Sequence, residues 1–245
     1  MILYITYDGV LDPVGQSQVI PYLLLLARGR KFYLLSYEKP DRLADRAAVH
    51  ELSSRLLKGG IHWTPLSFHK VPAIPATCYD IAVGICHSIA IVFRSEARVI
   101  HARSLISALI ALPAKVLLGC KLLFDIRGFW VDCRRDQGLF SESSLLYRVL
   151  KALESLAYRN SDAITTLTRR AATQVRRFEF LKTRKPIVAA ITTCVDLDLF
   201  QPVAAPPVSD SAVFTLGYVG SIGALYLFDE TLDCFRVLRA LRPDA

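Results

Sequence analysis

The usual signatures of nucleotide and metal chemistry are missing from this sequence. No G-x-G-x-x-G opens a helix after a strand, and no glycine-rich loop ends in Gly-Lys-Ser/Thr, which disfavours both a dinucleotide-binding fingerprint and a P-loop. The six cysteines, Cys78, Cys86, Cys120, Cys133, Cys194 and Cys234, contain no C-x-x-C pair and no Cys/His spacing of a zinc site, so no metal is expected. Free thiols in apolar or helical runs suit a reducing compartment. The opening MILYITYD has neither a basic n-region nor a small-residue cleavage site and reads as a first strand, not a signal peptide. A clean apolar run of membrane-spanning length is also lacking. The best candidate, 71–93, is interrupted by Pro72, Pro75, Asp80 and His87, and reads as a buried or interface-facing helix. Charged residues are sparse, 21% against 53% hydrophobic, and this balance excludes intrinsic disorder. The charge that is present leans one way: a net +8 and a pI near 9.3 favour anionic partners, whether phosphorylated small molecules, acidic lipid or nucleic acid.

Short apolar runs alternate with longer helical ones. Strand-like segments fall at 2–6, 31–36, 61–65, 99–102, 122–126, 163–167 and 187–191; helical periodicity falls at 16–27, 41–57, 72–94, 104–118, 145–159 and 169–180. Alternation on this scale predicts an α/β fold, a doubly wound parallel sheet of Rossmann type whose strands are covered on both faces. The stretch QPVAAPPVSDS, within 201–212, has no hydrophobic period and reads as a linker. Beyond it, 213–219 reads as a strand and 228–241 as a helix with Leu232, Phe235 and Leu238 on one face. One strand and one helix cannot bury a sheet face. The expected organisation is therefore a first domain over 1–200, a linker over 201–212, and the start of a truncated second Rossmann-like domain over 213–245.

In an open parallel sheet, ligands bind beyond the carboxyl ends of the strands. After the first strand, Gly15 and Gln16 sit where the loop enters a helix, suited either to a phosphate or sugar hydroxyl or simply to shaping a turn with Pro13. After the fourth come His101, Arg103 and Ser104. Arg103 offers a planar fork to phosphate or carboxylate, while His101 reads equally as a core histidine. After the fifth come Asp125, Arg127, Gly128, Phe129 and Trp130. Asp125 and Arg127, two apart, lie on one side of an extended chain, where they would pair with each other, orient a sugar hydroxyl or contact a diphosphate. Phe129 and Trp130 suit sugar stacking or an apolar interface. The basic stretch Arg169, Arg170, Arg176, Arg177, Lys182, Arg184 and Lys185 is a solvated face or an attraction to anionic lipid. Without interleaved aromatics or a known module, nucleic acid is not an expected partner.

Taken together, YDG…PVGQSQVIPYL (7–23), HARS (101–104), FDIRGFW (124–130), DAITTLT (162–168), TTCVDLDLF (192–200) and LGYVGSIG (216–223) follow the order seen in family-4 glycosyltransferases, and the chain resembles that family over nearly its whole length. The resemblance implies a GT-B fold, two Rossmann-like domains facing across a cleft, the first mostly holding acceptor and the second mostly donor. It implies retention of anomeric configuration and no metal or other cofactor, the nucleotide-sugar being a substrate. TTCVDLDLF resembles the family's domain-junction segment, with Thr193 and Cys194 in place of Asn-Gly. LGYVGSIG resembles the first strand and glycine loop of the donor domain, which would bring Gly220, Ser221 and Gly223 to the donor phosphates. The family's histidine after the fifth strand is replaced by the Asp125 and Arg127 region, and these two are the expected catalytic residues. The paired glutamates of the donor site lie farther along the family's chain than Ala245, so the chain is expected to be inactive alone.

The expected reaction is transfer of a sugar, of hexosyl type, from a nucleoside diphosphate to a hydroxyl of a glycan or lipid-linked acceptor, in polysaccharide biosynthesis. The expected location is the cytoplasm, with peripheral contact to the anionic inner face of the membrane. Two other classes stay open: a non-catalytic glycan-binding module, and a sugar-nucleotide epimerase of similar architecture.

Overall fold

The computed structural model describes residues 1–195, 197–198, 200–201, 216–220, 222 and 227–242. Seven strands, β1 (Ile2–Thr6), β2 (Phe32–Glu38), β3 (Ile61–Ser67), β4 (Val99–Arg103), β5 (Lys121–Ile126), β6 (Ala163–Thr166) and β7 (Ile187–Ala190), form one sheet in the order β3-β2-β1-β4-β5-β6-β7. Every neighbouring pair is parallel. The order reverses between β1 and β4, the switch point at which open α/β sheets leave a crevice. The doubly wound Rossmann-like α/β architecture read from the sequence is the one observed.

The helices are α1 (Ile20–Leu26), α2 (Pro40–Ala44), α3 (Arg46–Lys58), α4 (Ala73–Ser95), α5 (Ser104–Leu118), α6 (Trp130–Asp136), α7 (Leu145–Asn160), α8 (Arg169–Arg176) and α9 (Phe228–Leu241). Side chains alternate across each strand, so β1, β2 and β3 feed two cores, while β4, β5 and β6 give their apolar residues to one. Leu3, Ile5, Leu35, Ile100, Leu122 and Ile164 pack under α4, α5, α7 and α8 through Val92, Ala108, Ala157 and Val175. Tyr4, Phe32, Leu34 and Ile61 pack under α1 and α3 through Ile20, Leu23, Leu52 and Leu56.

Several expected elements differ. The helix read over 41–57 is two helices. Asp45 interrupts it and caps α3, its Oδ1 accepting from the Ala48 N–H at 3.0 Å. The helix read over 16–27 opens with a π-helical turn, Gly15–Val19, before α1 begins. The helix read over 169–180 ends at Arg176 and gives way to a 3₁₀ turn, Glu179–Leu181. Helix α6 was not anticipated, because WVDCRRD is short and polar. Of the strand read over 213–219, residues 213–215 lie outside the described residues, and 216–219 form no strand: none of the sheet's hydrogen-bonded pairings includes them, and an extended segment without a ladder partner is not a strand. The linker read over 201–212 lies almost wholly outside the described residues. The cysteines are all free, and only Cys120 is buried; the other five are exposed.

Helix α4 has an inverted character. It turns Ala76, Asp80, Gly84, Ser88, Val92 and Ser95 inward and leaves Ile74, Tyr79 and Phe93 exposed. Small residues on the inner stripe let it lie close along α5; a Cβ at Gly84 would fall 2.3 Å from the Tyr37 hydroxyl and 3.0 Å from Ile110 Cδ1. By length and composition α4 is long and apolar enough to cross a membrane, with mean hydropathy 1.6 over its most apolar window. Here its inner stripe packs on the sheet domain.

Gly15 sits where two stretches of backbone touch. A Cβ there would fall 2.3 Å from the Gly9 carbonyl oxygen and 2.4 Å from Val10 Cα. Backbone cannot swing aside as a side chain can, so Gly15→Ala is expected to cost about 1–3 kcal/mol, the usual range for overpacking. At Gly128 a Cβ meets nothing within 4 Å, and Gly128→Ala is expected to stay within about 0.5 kcal/mol. Urea unfolding of the two variants checks this: the midpoint should fall only for Gly15→Ala, with an unchanged slope.

Candidate functional site

The register puts polar side chains at the carboxyl ends of the strands in one row. Ser36, Thr6, Arg103, Asp125 and Thr165 are cross-strand partners on β2, β1, β4, β5 and β6. All five are buried, although none would be expected in an apolar sheet. Partners on adjacent strands share a face, so the row faces the side covered by α1.

The loop after β1 is held against this row by a carboxylate. Glu38, fully buried at the end of β2, accepts from the Val10 N–H at 2.9 Å and the Ser36 hydroxyl at 2.5 Å through Oε1, and from the Leu11 N–H at 3.0 Å through Oε2. Gln16 is turned to the same loop, its Nε2 donating to the Val10 carbonyl at 2.6 Å. Asp12 anchors the far end through Lys39 at 2.9 Å and Arg42 at 3.4 Å.

Two guanidinium groups meet over the clamped loop. Arg103, only 4% exposed, donates from Nε to Asp8 Oδ2 at 3.3 Å and from an Nη to Gln18 Oε1 at 3.4 Å. Arg127 donates to the same Gln18 oxygen at 3.1 Å and to Thr193 Oγ1 at 3.0 Å, and lies 3.7 Å from Asp125 Oδ2. Burial lowers the Arg127 pKa from its ordinary value, the neighbouring Arg103 charge lowers it further, and Asp125 opposes both. Two cations drawn to one neutral amide oxygen form a receptive place for an oxyanion, which would satisfy both forks.

Asp125 accepts from Thr165 Oγ1 at 2.9 Å. Burial raises its pKa, but His101, Arg127 and the Thr165 hydroxyl outweigh burial and leave it below the ordinary aspartate value. His101 is buried, with Nε2 3.8 Å from Asp125 Oδ2, an electrostatic rather than a hydrogen-bonded approach; Nε2 has no hydrogen-bond partner among the described residues. Its ring packs edge-on to Tyr4 at 4.5 Å and Tyr22 at 6.1 Å.

The structure therefore brings Arg103, Asp125, Arg127 and His101 together at the sheet's switch point, with Gly15 and Gln16 beside them. Ser104, Arg127 and Gly128 line a cavity of about 190 Å³ on the other side of β5, walled by Leu105, Phe124, Trp130 and Tyr158. Gly15 and Gln16 are engaged inward, the first by close packing and the second by its amide. Gly220 is exposed and lies beside Tyr218; Ser221 and Gly223 lie outside the described residues. Of the aromatic pair, Phe129 packs on Phe178, and Trp130 is covered by the Arg134 guanidinium at 5.1 Å. In the basic stretch, Arg176 donates to the Val188 carbonyl, Arg184 to the Arg159 carbonyl, and Lys182 pairs with Glu179. Gln18 and Asp8 are not singled out in the sequence, and Thr193 only as a departure at the domain junction, with no role at the site. The π-turn, which changes the phase between Gln16 and Gln18, hides the first of them. No group of three metal-ligating side chains occurs among the described residues.

Comparison with known proteins gives the family and the fold. Residues 37–188, more than half of the chain, match the family model for the glycosyl transferase 4-like domain. Among solved structures, the chain is similar to sucrose-phosphate synthase from Thermosynechococcus elongatus, at 14% identity and TM-score 0.58, covering 82% of this chain and 50% of that one. It is similar to LpCGTa in complex with UDP, at 11% identity and TM-score 0.52, covering 82% and 55%. It is also similar to Arabidopsis thaliana UGT89C1 complexed with UDP-L-rhamnose, at 13% identity and TM-score 0.51, covering 86% and 56%. The chain thus spans about half the length of the solved structures it matches. The curated proteins yield no match.

Asp125 gives a check on the electrostatics. Its folded pKa is depressed, so the stability it contributes is present above the unfolded value of about 3.9 and is lost as pH falls through the lower folded value. Asp125→Asn is expected to cost about 1–3 kcal/mol at neutral pH, because Arg127 loses its counter-charge. Urea titrations of both proteins from pH 7 downward should show the two curves converging only in that acid window.

Proposed function

Because the chain belongs to the glycosyl transferase 4-like domain family, we propose that it serves transfer of a hexosyl-type sugar from a nucleoside-diphosphate sugar to a hydroxyl of a glycan or lipid-linked acceptor, in polysaccharide biosynthesis. The observation that carries this reading is the convergence of Arg103 and Arg127 on Gln18 at the switch point. In the reaction the acceptor oxygen forms a bond to the anomeric carbon while the bond from that carbon to the diphosphate breaks, and the electron pair leaves on the diphosphate. The developing negative charge needs fixed donors, which two guanidiniums held by Asp8, Gln18 and Asp125 supply without reorganisation. On this reading the chain's own cations take the part a metal would play, and the configuration at the anomeric carbon is retained. Asp125 orients Arg127, and the cavity lined by Ser104, Gly128 and Trp130 offers room for part of a substrate. UDP in one similar structure and UDP-L-rhamnose in another support a uridine donor. The family match lies with transfer rather than epimerisation or passive glycan binding.

Calorimetric titration with UDP tests the donor site. The chain is expected to bind UDP, and Arg127→Ala to weaken binding about tenfold or more, roughly 1.4 kcal/mol. Binding unchanged in Arg127→Ala would remove the diphosphate from this site.

We further propose that the protein works in the cytoplasm against the anionic inner face of the membrane. The outer side of α4, with Ile74, Tyr79 and Phe93 exposed and Arg94 as its one charge, supports an interfacial placement. Its helical layer also carries the exposed Arg169, Arg170 and Arg177 of the α8 region. The protein is expected to float with vesicles containing anionic lipid at low salt, and Phe93→Asp with Ile74→Asp to abolish flotation. Absence of wild-type binding at low salt would sink the placement.

A further inference from the structure

His101 stands at the anion site with its bonding capacity unused. It is 5% exposed, and its Nε2 is a buried polar atom without a hydrogen-bond partner among the described residues. A buried nitrogen left unbonded is costly. Asp125 Oδ2 lies 3.8 Å from this Nε2 and 3.7 Å from Arg127 Nη1, too far from either for a hydrogen bond. The carboxylate is held by its other oxygen, which accepts from Thr165 Oγ1 at 2.9 Å. One oxygen of Asp125 is therefore placed between a guanidinium and an imidazole, free to close on one when the other is drawn away.

The charges around the imidazole already balance. Arg103, on its own strand, faces Asp8 at 3.3 Å, and Arg127 faces Asp125: two cations against two carboxylates. Tyr4 from β1 and Tyr22 from α1 pack on the ring, and burial raises both phenol pKa values, so they stay neutral. A diphosphate on the arginine pair adds negative charge to this enclosed place with nothing set against it. Among these groups, histidine alone changes charge near neutral pH. A path for the proton is present. His101 lines a cavity of about 260 Å³ on the α1 side, together with Tyr22, Leu26 and the exposed Arg30, and a cavity of that size with polar lining admits water. His69, beyond β3, is differently placed. Its Nδ1 lies 2.6 Å from Asp80 Oδ1, and Asp80 also accepts from the Tyr7 hydroxyl, away from the arginines.

We propose that His101 is a positioning residue of the diphosphate site: it takes up a proton from solvent when the anion binds, and its imidazolium then holds Asp125 as Arg127 turns to the phosphates. The inference rests on the transferase reading, with the arginine pair as the diphosphate site. The proton stays on the imidazole, and none is passed to either substrate. Its charge matters most as the bond from the anomeric carbon breaks, because the leaving diphosphate gains negative charge at that moment.

The test follows the imidazole resonances of the full chain by NMR as pH is varied, with and without UDP. With UDP, His101 is expected to hold its proton about tenfold more tightly, read as a rise in its titration midpoint, while the midpoint of His69 stays in place. Without ligand, Arg127→Ala is expected to raise the His101 midpoint and Asp125→Asn to lower it. Calorimetry of UDP binding at about pH 7.5, near the range where imidazoles titrate, in HEPES and in Tris counts the protons exchanged. The wild type is expected to take up more protons than His101→Gln. Because binding raises the midpoint, the wild type's advantage in affinity over His101→Gln is full below the free midpoint and is lost as pH rises through the bound one. Equal proton counts for the two proteins, or a wild-type midpoint unmoved by bound UDP, would overturn the proposal. The second outcome needs no variant and does not depend on how His101→Gln folds. Failure of the wild type to bind UDP at all would remove the diphosphate reading and this inference with it, whereas the first two outcomes leave UDP bound and that reading intact.

Discussion

The arrangement at the sheet's edge depends on one buried carboxylate. Glu38 closes β2 by binding two backbone N–H groups of the loop after β1 and the Ser36 hydroxyl. Buried backbone donors without partners are costly, and this loop carries two of them in a place where no strand can pair with them. The clamp brings Gly9 and Val10 down against Gly15, and the close contact there fixes where the following π-turn begins. Gln18 then stands between Arg103 and Arg127 because the loop before it has no slack.

From the same loop, two consecutive residues divide the edge. Just past β1, Tyr7 reaches Asp80 on α4 and Asp8 reaches Arg103. One strand end therefore couples a region built around a carboxylate and an imidazole to a region built around guanidiniums. The polar row beneath it, Ser36, Thr6, Arg103, Asp125 and Thr165, places these groups by register rather than by loop conformation.

Much of this was legible in the sequence, for reasons that differ by level. Strands buried on both faces read as apolar runs, and seven of them in alternation with helices specified the parallel sheet. Arg103, Asp125 and Arg127 were legible because they directly follow apolar runs, where the fold rule places ligands. Gln18 was not, since a helix assumed regular from Gln16 onward gives it a different phase. Asp80 was read only as an interruption in an apolar segment. Its partner His69 lies eleven residues earlier in a loop, and no spacing rule joins a loop residue to the third turn of a helix. The split of 41–57 at Asp45 was hidden in the same way, because apolar periodicity continues across a capping residue that breaks the helix.

The π-turn has a consequence for how such a protein can change over time. Five residues occupy a turn that an α-helix would complete with about one fewer. Removing a single residue there would restore ordinary helical winding and swing Gln18 by about 100° relative to the chain entering it. Every side chain of the arginine pair would remain, yet their shared acceptor would face elsewhere. Length in this short segment, more than residue identity, is thus the variable through which descendants of the sequence can gain or lose the site by one small deletion.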